Sequence, residues 1–287
     1  MCGIAGFIGD STNYNLSYKL ISNIFKNLQI RGEDASGFWG VLNKNNIIYH
    51  KEPQKSSDFC LKNNYWKQLK DNPSDIVITH ARGASADYGL PELNVNNHPF
   101  LNVSKNVALI HNGKINKFDY DFISKFFKLK SKCDSELYLK FVENNNIIDG
   151  IKDIWSYLYD SHMAVAIAQY LNKNNKNLYL FKNKYRSLWI ADVRQYLNQI
   201  FFVSTKEIWE KSICDLKFNF DKAKLIEIHP DELYEISLIN KNFIINKYNI
   251  NIKKKYWVGD LKFSSNVKKV KKHKVITGLD KKDVIIK

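Results

Sequence analysis

Short apolar runs alternate with polar breaks rich in asparagine and lysine along the whole chain. Residues 3–8 are apolar and β-branched at intervals and close on Gly9-Asp10-Ser11, which predicts a buried strand and a turn. Leu20, Ile21, Ile24, Phe25 and Leu28 fall on one stripe of a helix over 17–28. Residues 38–42 and 47–50 read as a hairpin turned at 43–46, and 57–69 as a helix stopped near Asn72-Pro73. Ile76, Val77 and Ile78 stand in succession within 75–80, as expected of a strand buried on both faces. A strand over 107–110 runs into His111-Asn112-Gly113, and helices are expected over 119–127, 135–142 and 147–158. Strands over 162–170 and 178–182 pair around the polar turn 172–177, and strand-like runs follow at 187–192, 200–204, 225–228 and 233–238. Strands at both ends with helices between them predict sheets packed on each other and covered by helices. Neither a repeat nor a glycine/proline linker interrupts the pattern. It therefore divides into one domain over 2–240 and an extension over 241–287.

Composition narrows the class. At 287 residues and 44% apolar, the chain can bury a large core. It holds no apolar run of about 18 residues and no signal-peptide pattern, so neither a membrane span nor export is expected. Cys2, Cys60, Cys133 and Cys214 are scattered, with no pair at metal-ligand spacing, which suits a reducing, cytoplasmic setting and no bound metal. The net charge of +15 is spread widely, except at the C-terminus. Residues 251–287 carry twelve lysines against three aspartates, a local balance of +9. Such a tail is a solvated extension or a contact for an acidic partner or nucleic acid.

Four short stretches carry chemistry. Cys2 follows Met1 directly, and removal of Met1 would put a thiol and a free α-amine on one residue. With a reference pKa of about 7.7–8.0, the amine is a base for its own thiol. Read alone, Cys2 is more simply a small residue opening a buried strand. Arg82 stands in Ala81-Arg82-Gly83-Ala84-Ser85-Ala86, where small neighbours let a ligand approach and the guanidinium grip a carboxylate. An ion-paired surface arginine fits the same residues. Asn112-Gly113 offers an amide and a backbone N–H for an oxyanion hole, although Asn-Gly is also a common turn dipeptide. Asp134 precedes Ser135-Glu136 as a helix N-cap would, and its carboxylate also suits an ammonium group. Together a thiol with its own base, an oxyanion pair, a carboxylate clamp and an ammonium partner describe a site for glutamine.

In that order the chain resembles the class II glutamine amidotransferases, whose catalytic domain is an N-terminal-nucleophile hydrolase. Cys2-Gly3-Ile4-Ala5-Gly6, Arg31-Gly32-Glu33-Asp34-Ala35-Ser36-Gly37, Thr79-His80-Ala81-Arg82, Asn96-Asn97-His98-Pro99, His111-Asn112-Gly113 and Cys133-Asp134-Ser135-Glu136 are similar to successive family blocks. The likeness is to the glutaminase domain of glucosamine-6-phosphate synthase and of amidophosphoribosyltransferase. It implies a four-layer αββα sandwich, with Cys2 as nucleophile and Asn112 and Gly113 as oxyanion hole. It further implies Arg82 and Ser85 on the glutamine carboxylate, Asp134 on its α-amine, and structural roles for His98 and Asp34 near the site. No cofactor is implied. The ammonia would go to a synthase on a separate polypeptide, because about 45 residues after the domain are too few for an acceptor domain. Gly83 replaces the aromatic residue usual after the arginine in the glucosamine type, and Ala86-Asp87 replaces its histidine-glycine pair, which argues against glucosamine as product. Hydrolysis of another amide, or binding through the basic tail, are the alternative functions.

Overall fold

Alternation within the first strand sets the layering. The computed structural model describes residues 1–42, 45–143, 145–220, 223–250 and 254. The first half of the chain folds as β1 (Gly3–Gly9), α1 (Tyr14–Asn27), β2 (Ala35–Leu42), β3 (Ile47–Glu52), α2 (Ser56–Lys62), α3 (Asn64–Asp71), β4 (Ser74–Arg82), β5 (Phe100–Leu101) and β6 (Val107–Lys114). Three helices follow, α4 (Lys117–Ile123), α5 (Glu136–Val142) and α6 (Ile147–Tyr157). The remainder is β7 (His162–Asn172), β8 (Asn175–Lys182), β9 (Trp189–Asp192), α7 (Arg194–Leu197), β10 (Gln199–Val203), α8 (Lys206–Asp215), β11 (Lys224–Glu227), β12 (Glu232–Ile239) and β13 (Asn242–Asn249).

The strands form two antiparallel sheets, ordered β11-β9-β10-β1-β4-β2-β3 and β13-β12-β8-β7-β6-β5. Ala5 and Phe7 of β1 pack with Phe38, Val77 and Phe201 beneath α1, α2, α3 and α8, through Phe25, Phe59, Trp66 and Trp209. Ile4 and Ile8 face the other way, into a core between the sheets shared with Ile76, Ile78, Ile110 and the alanines 164, 166 and 168 of β7. Val165 and Ile167 of β7 point outward onto α5 and α6, among Leu137, Phe141, Ile151 and Ile154. Three cores between four layers make the αββα sandwich that the resemblance implied. At about 25 cal/mol per Å² of apolar surface removed from water, such interleaving is the main stabilising term.

The pattern and the fold part in several places, among them the short β5 and α7, which were not predicted. The helix expected over 57–69 is two, because Asn63 adopts an extended conformation and its side chain caps α3 by accepting from the Trp66 N–H at 2.9 Å. Helix α8 was not predicted; Ile208, Trp209 and Ser212 are the residues it buries. Strand β13 pairs along its whole length with β12, yet most of its side chains are exposed, so alternation did not announce it. Of the basic extension, residues 251–253 and 255–287 lie outside the described residues. Among the described residues no helix is long and apolar enough to cross a membrane.

Candidate active site

Register brings the motif residues to one end of the sandwich. Antiparallel pairing sets Gly3 opposite Ala81 and Ile4 opposite His80, so Cys2 falls beside the Arg82–Gly83 end of β4. Ser204 fixes the start of β1, accepting from the Ile4 N–H at 2.7 Å and donating to the Ile4 carbonyl at 3.0 Å. The second sheet reaches the same end through a His80 Nε2 contact of 3.0 Å with the His111 carbonyl. Two residues beyond His80 is Arg82, and two beyond His111 is Gly113.

The Cys2 thiol lies 3.7 Å from the Gly83 carbonyl. Burial pushes its pKa up; the Gly83 backbone, the terminal ammonium and Arg82 draw it down, and Asp134 pushes it up again. Cys2, Arg82 and Asp134 are thus within electrostatic reach of one another. Gly83 also leaves room for Met1, since a Cβ there would stand 2.6 Å from the Met1 carbonyl oxygen.

Asn112 and Gly113 do not form a turn. Both lie inside β6, opposite Ala164 and Met163. The Met163 N–H and carbonyl are both bonded to Asn183, at 3.2 and 3.0 Å, so the facing Gly113 keeps its own N–H off the β6–β7 ladder. A side chain at 113 would strike the His162 carbonyl. The Asn112 amide is buried, and neither its nitrogen nor its oxygen has a hydrogen-bond partner. A buried amide without partners costs about 1–3 kcal/mol, so such a group calls for an explanation.

Arg82 is buried, and its guanidinium organises the loop that follows it. Nη1 donates to Asn97 Oδ1 at 2.7 Å, and Nη2 to the carbonyls of Tyr88 and Gly89 at 2.9 and 2.8 Å. Three of its five donors are engaged, leaving two. Asp34 anchors the same loop by accepting from the Ala84 N–H at 2.7 Å, and half-buried Ser85 accepts from the Tyr88 N–H at 3.0 Å. Asp134 is not a helix cap. Its Oδ2 accepts from the Ile115 N–H at 2.6 Å, and the N-cap position of α5 belongs to Ser135.

His98 is buried and stacks on His80 with ring centroids 3.9 Å apart. Burial lowers the pKa of His80 to about 3, holds that of His98 well below the usual range, and lowers that of His111. All three rings are neutral at neutral pH.

Two arginines near the thiol escaped the sequence reading. Arg31 Nε donates to the Cys2 carbonyl at 2.9 Å. Arg186 lies within electrostatic reach of Cys2 and Arg31, and its Nε is buried without a partner. Arg31 opens one of the motif blocks, whereas nothing in the polar loop before β9 singles out Arg186. Among the described residues no cluster of histidine, cysteine, aspartate or glutamate suits a metal ion.

The chain is 32% identical over 177 residues to the isomerizing glutamine–fructose-6-phosphate aminotransferase of Francisella tularensis, covering 59% of this chain and 27% of the relative. It is 29% identical over 175 residues to the enzyme of the same name from Clostridium perfringens, covering 58% and 26%. Among solved structures, glutamine phosphoribosylpyrophosphate amidotransferase of B. subtilis superposes with a TM-score of 0.59 at 16% identity, over 88% of this chain and 50% of that one. The chain is thus similar in sequence to glutamine-dependent aminotransferases and in fold to a glutamine amidotransferase, a likeness consistent with a class II glutamine amidotransferase domain. No family model matches it. The chain spans about a quarter of the length of these curated relatives and half of the solved chain.

Proposed function

We propose that this domain hydrolyses the side-chain amide of L-glutamine through a thioester on Cys2, releasing ammonia for an acceptor on a separate polypeptide. The observation that carries the reading is the Asn112 amide, buried and unpartnered, beside a Gly113 N–H that the sheet does not use. Two unspent donors at the end of one strand suit an oxygen that becomes negatively charged.

Removal of Met1 frees the Cys2 α-amine, which takes the thiol proton as sulfur attacks the amide carbon. The carbonyl oxygen becomes an oxyanion held by Asn112 and Gly113. The amine passes its proton to the leaving nitrogen, ammonia departs, and a γ-glutamyl thioester remains. Water, deprotonated by the same amine, then attacks the thioester to give glutamate and restore the thiol. The two free donors of Arg82, with Ser85, suit the substrate carboxylate, and Asp134 suits its ammonium. His98 and Asp34 shape the surroundings. The steps need neither metal nor organic cofactor, and the reactive thiol suits a reducing cytoplasm.

Glutamate release from L-glutamine is the test. Cys2→Ala, or an N-terminal extension that survives processing, is expected to abolish it. Full turnover with a blocked N-terminus would sink the mechanism. Ammonia transfer that appears only with an added synthase, beside slow release of glutamate alone, would support the separate acceptor.

A further inference from the structure

We infer that the groove between β5 and α5 is a docking surface for an acidic, leucine-bearing segment of a partner polypeptide. The groove has a volume of about 480 Å³ and is floored by Pro99, Phe100, Leu101 and Leu139. Strand β5 is the outermost strand of its sheet, so on that side its backbone faces no neighbouring strand. An open edge is where an extended chain adds its own hydrogen bonds. Val95 and Val103 stand at the rim, 44% and 92% exposed. Such apolar surface beside an open edge favours a polypeptide over a small anion.

Charge selects the kind of polypeptide. Lys51, Lys105, Lys130 and Lys140 line the groove against Glu136 and Glu143. Both acids are already occupied. Glu143 pairs with Lys140 at 2.9 Å, and Glu136 accepts from the N–H groups of Lys130 and Ser131 and from the Ser131 hydroxyl. Among the described residues exposed Lys105 and Lys130 pair with no carboxylate, and four lysines against two glutamates leave the groove lining with an excess of positive charge. Lys51 is further held by the Asn97 and Pro99 carbonyls at 2.5 and 3.1 Å. Asn97 is the residue that holds Arg82, so an occupant of the groove would sit two hydrogen bonds from the arginine of the active site.

The test uses the whole chain and three labelled probes: a peptide of leucines flanked by glutamates, the same peptide with lysine for glutamate, and a single-stranded oligonucleotide. Saturable binding of the glutamate peptide alone, weakening as salt rises, is expected. The double variant Lys105→Glu/Lys130→Glu and, separately, Val103→Asp should each weaken it by about tenfold or more. Both variants change exposed residues outside the catalytic machinery, so glutamate release without peptide should be unchanged and reports that they fold. Equal binding of the oligonucleotide, unchanged affinity in both variants, or no saturable binding of the glutamate peptide would overturn the proposal. Peptide affinity is read independently of turnover, so a failure of the Cys2 chemistry would be separately visible.

Discussion

Arg31 Nε donates to the carbonyl oxygen of Cys2 at 2.9 Å, tying the residue that carries the thiol to the segment after the first helix. This bond fixes the peptide unit just before β1, where no strand partner would otherwise hold it. Arg31→Met should therefore misplace Cys2 while leaving the three cores intact. A displacement of about 1 Å at a reacting group costs about 10²-fold, so kcat for glutamate release should fall by that order with little change in melting temperature. A kcat within twofold of the parent, about 0.4 kcal/mol, would show that the bond does not position the nucleophile.

Asn112 sets function against stability. Its buried amide is unpartnered, so replacing it with leucine of similar shape removes an unsatisfied group worth about 1–3 kcal/mol. Asn112→Leu is expected to raise the unfolding midpoint in urea while lowering kcat by about 10²–10³. A variant both less stable and fully active would contradict the oxyanion role.

Gly83 is predicted to matter most before processing. A Cβ there would stand 2.6 Å from the Met1 carbonyl oxygen, whereas its nearest other neighbour is the Arg31 carbonyl at 3.0 Å. Gly83→Ala should destabilise the Met1-bearing chain by about 1–3 kcal/mol and the chain beginning at Cys2 by less. Thermal melts of the two forms, separated by mass, measure the difference.

Acid should unfold the protein through its buried histidines. Folded His80 takes up a proton only near pH 3, against 6.5 for the ordinary group, and His98 is displaced in the same direction. Between those values the unfolded chain binds the proton and the folded chain does not, so stability is complete above pH 6.5 and falls as the pH drops. At pH 5 His80 alone should cost about 2 kcal/mol. Urea titrations at pH 7 and pH 5 test this, and His80→Gln should flatten the dependence.

Much of the fold was legible because its buried strands are short apolar runs between polar breaks. Ile4 and Ile8 against Ala5 and Phe7 is a pattern any two-faced strand must show, and β4 and β7 repeat it. What alternation could not register was a strand with a mostly exposed surface, such as β13, or the break at Asn63, where a side-chain cap overrides a continuous helical stripe. Arg186 was invisible for another reason. Its buried Nε and its nearness to Cys2 come from the loop between β8 and β9, far along the chain from either motif.

By itself the sequence determined the order of the blocks, the chemical types at Cys2, Arg82, Asn112, Gly113 and Asp134, and the layers of the sandwich. Only the tertiary structure decided what Asn112-Gly113 and Asp134 are doing. Locally the first is a turn dipeptide and the second a helix cap. Pairing of β6 with β7 holds the dipeptide extended, and the Ile115 N–H draws the Asp134 carboxylate away from its helix. Long-range hydrogen bonding outweighs local preference at both places, because a backbone group buried between layers must find its partner across the fold.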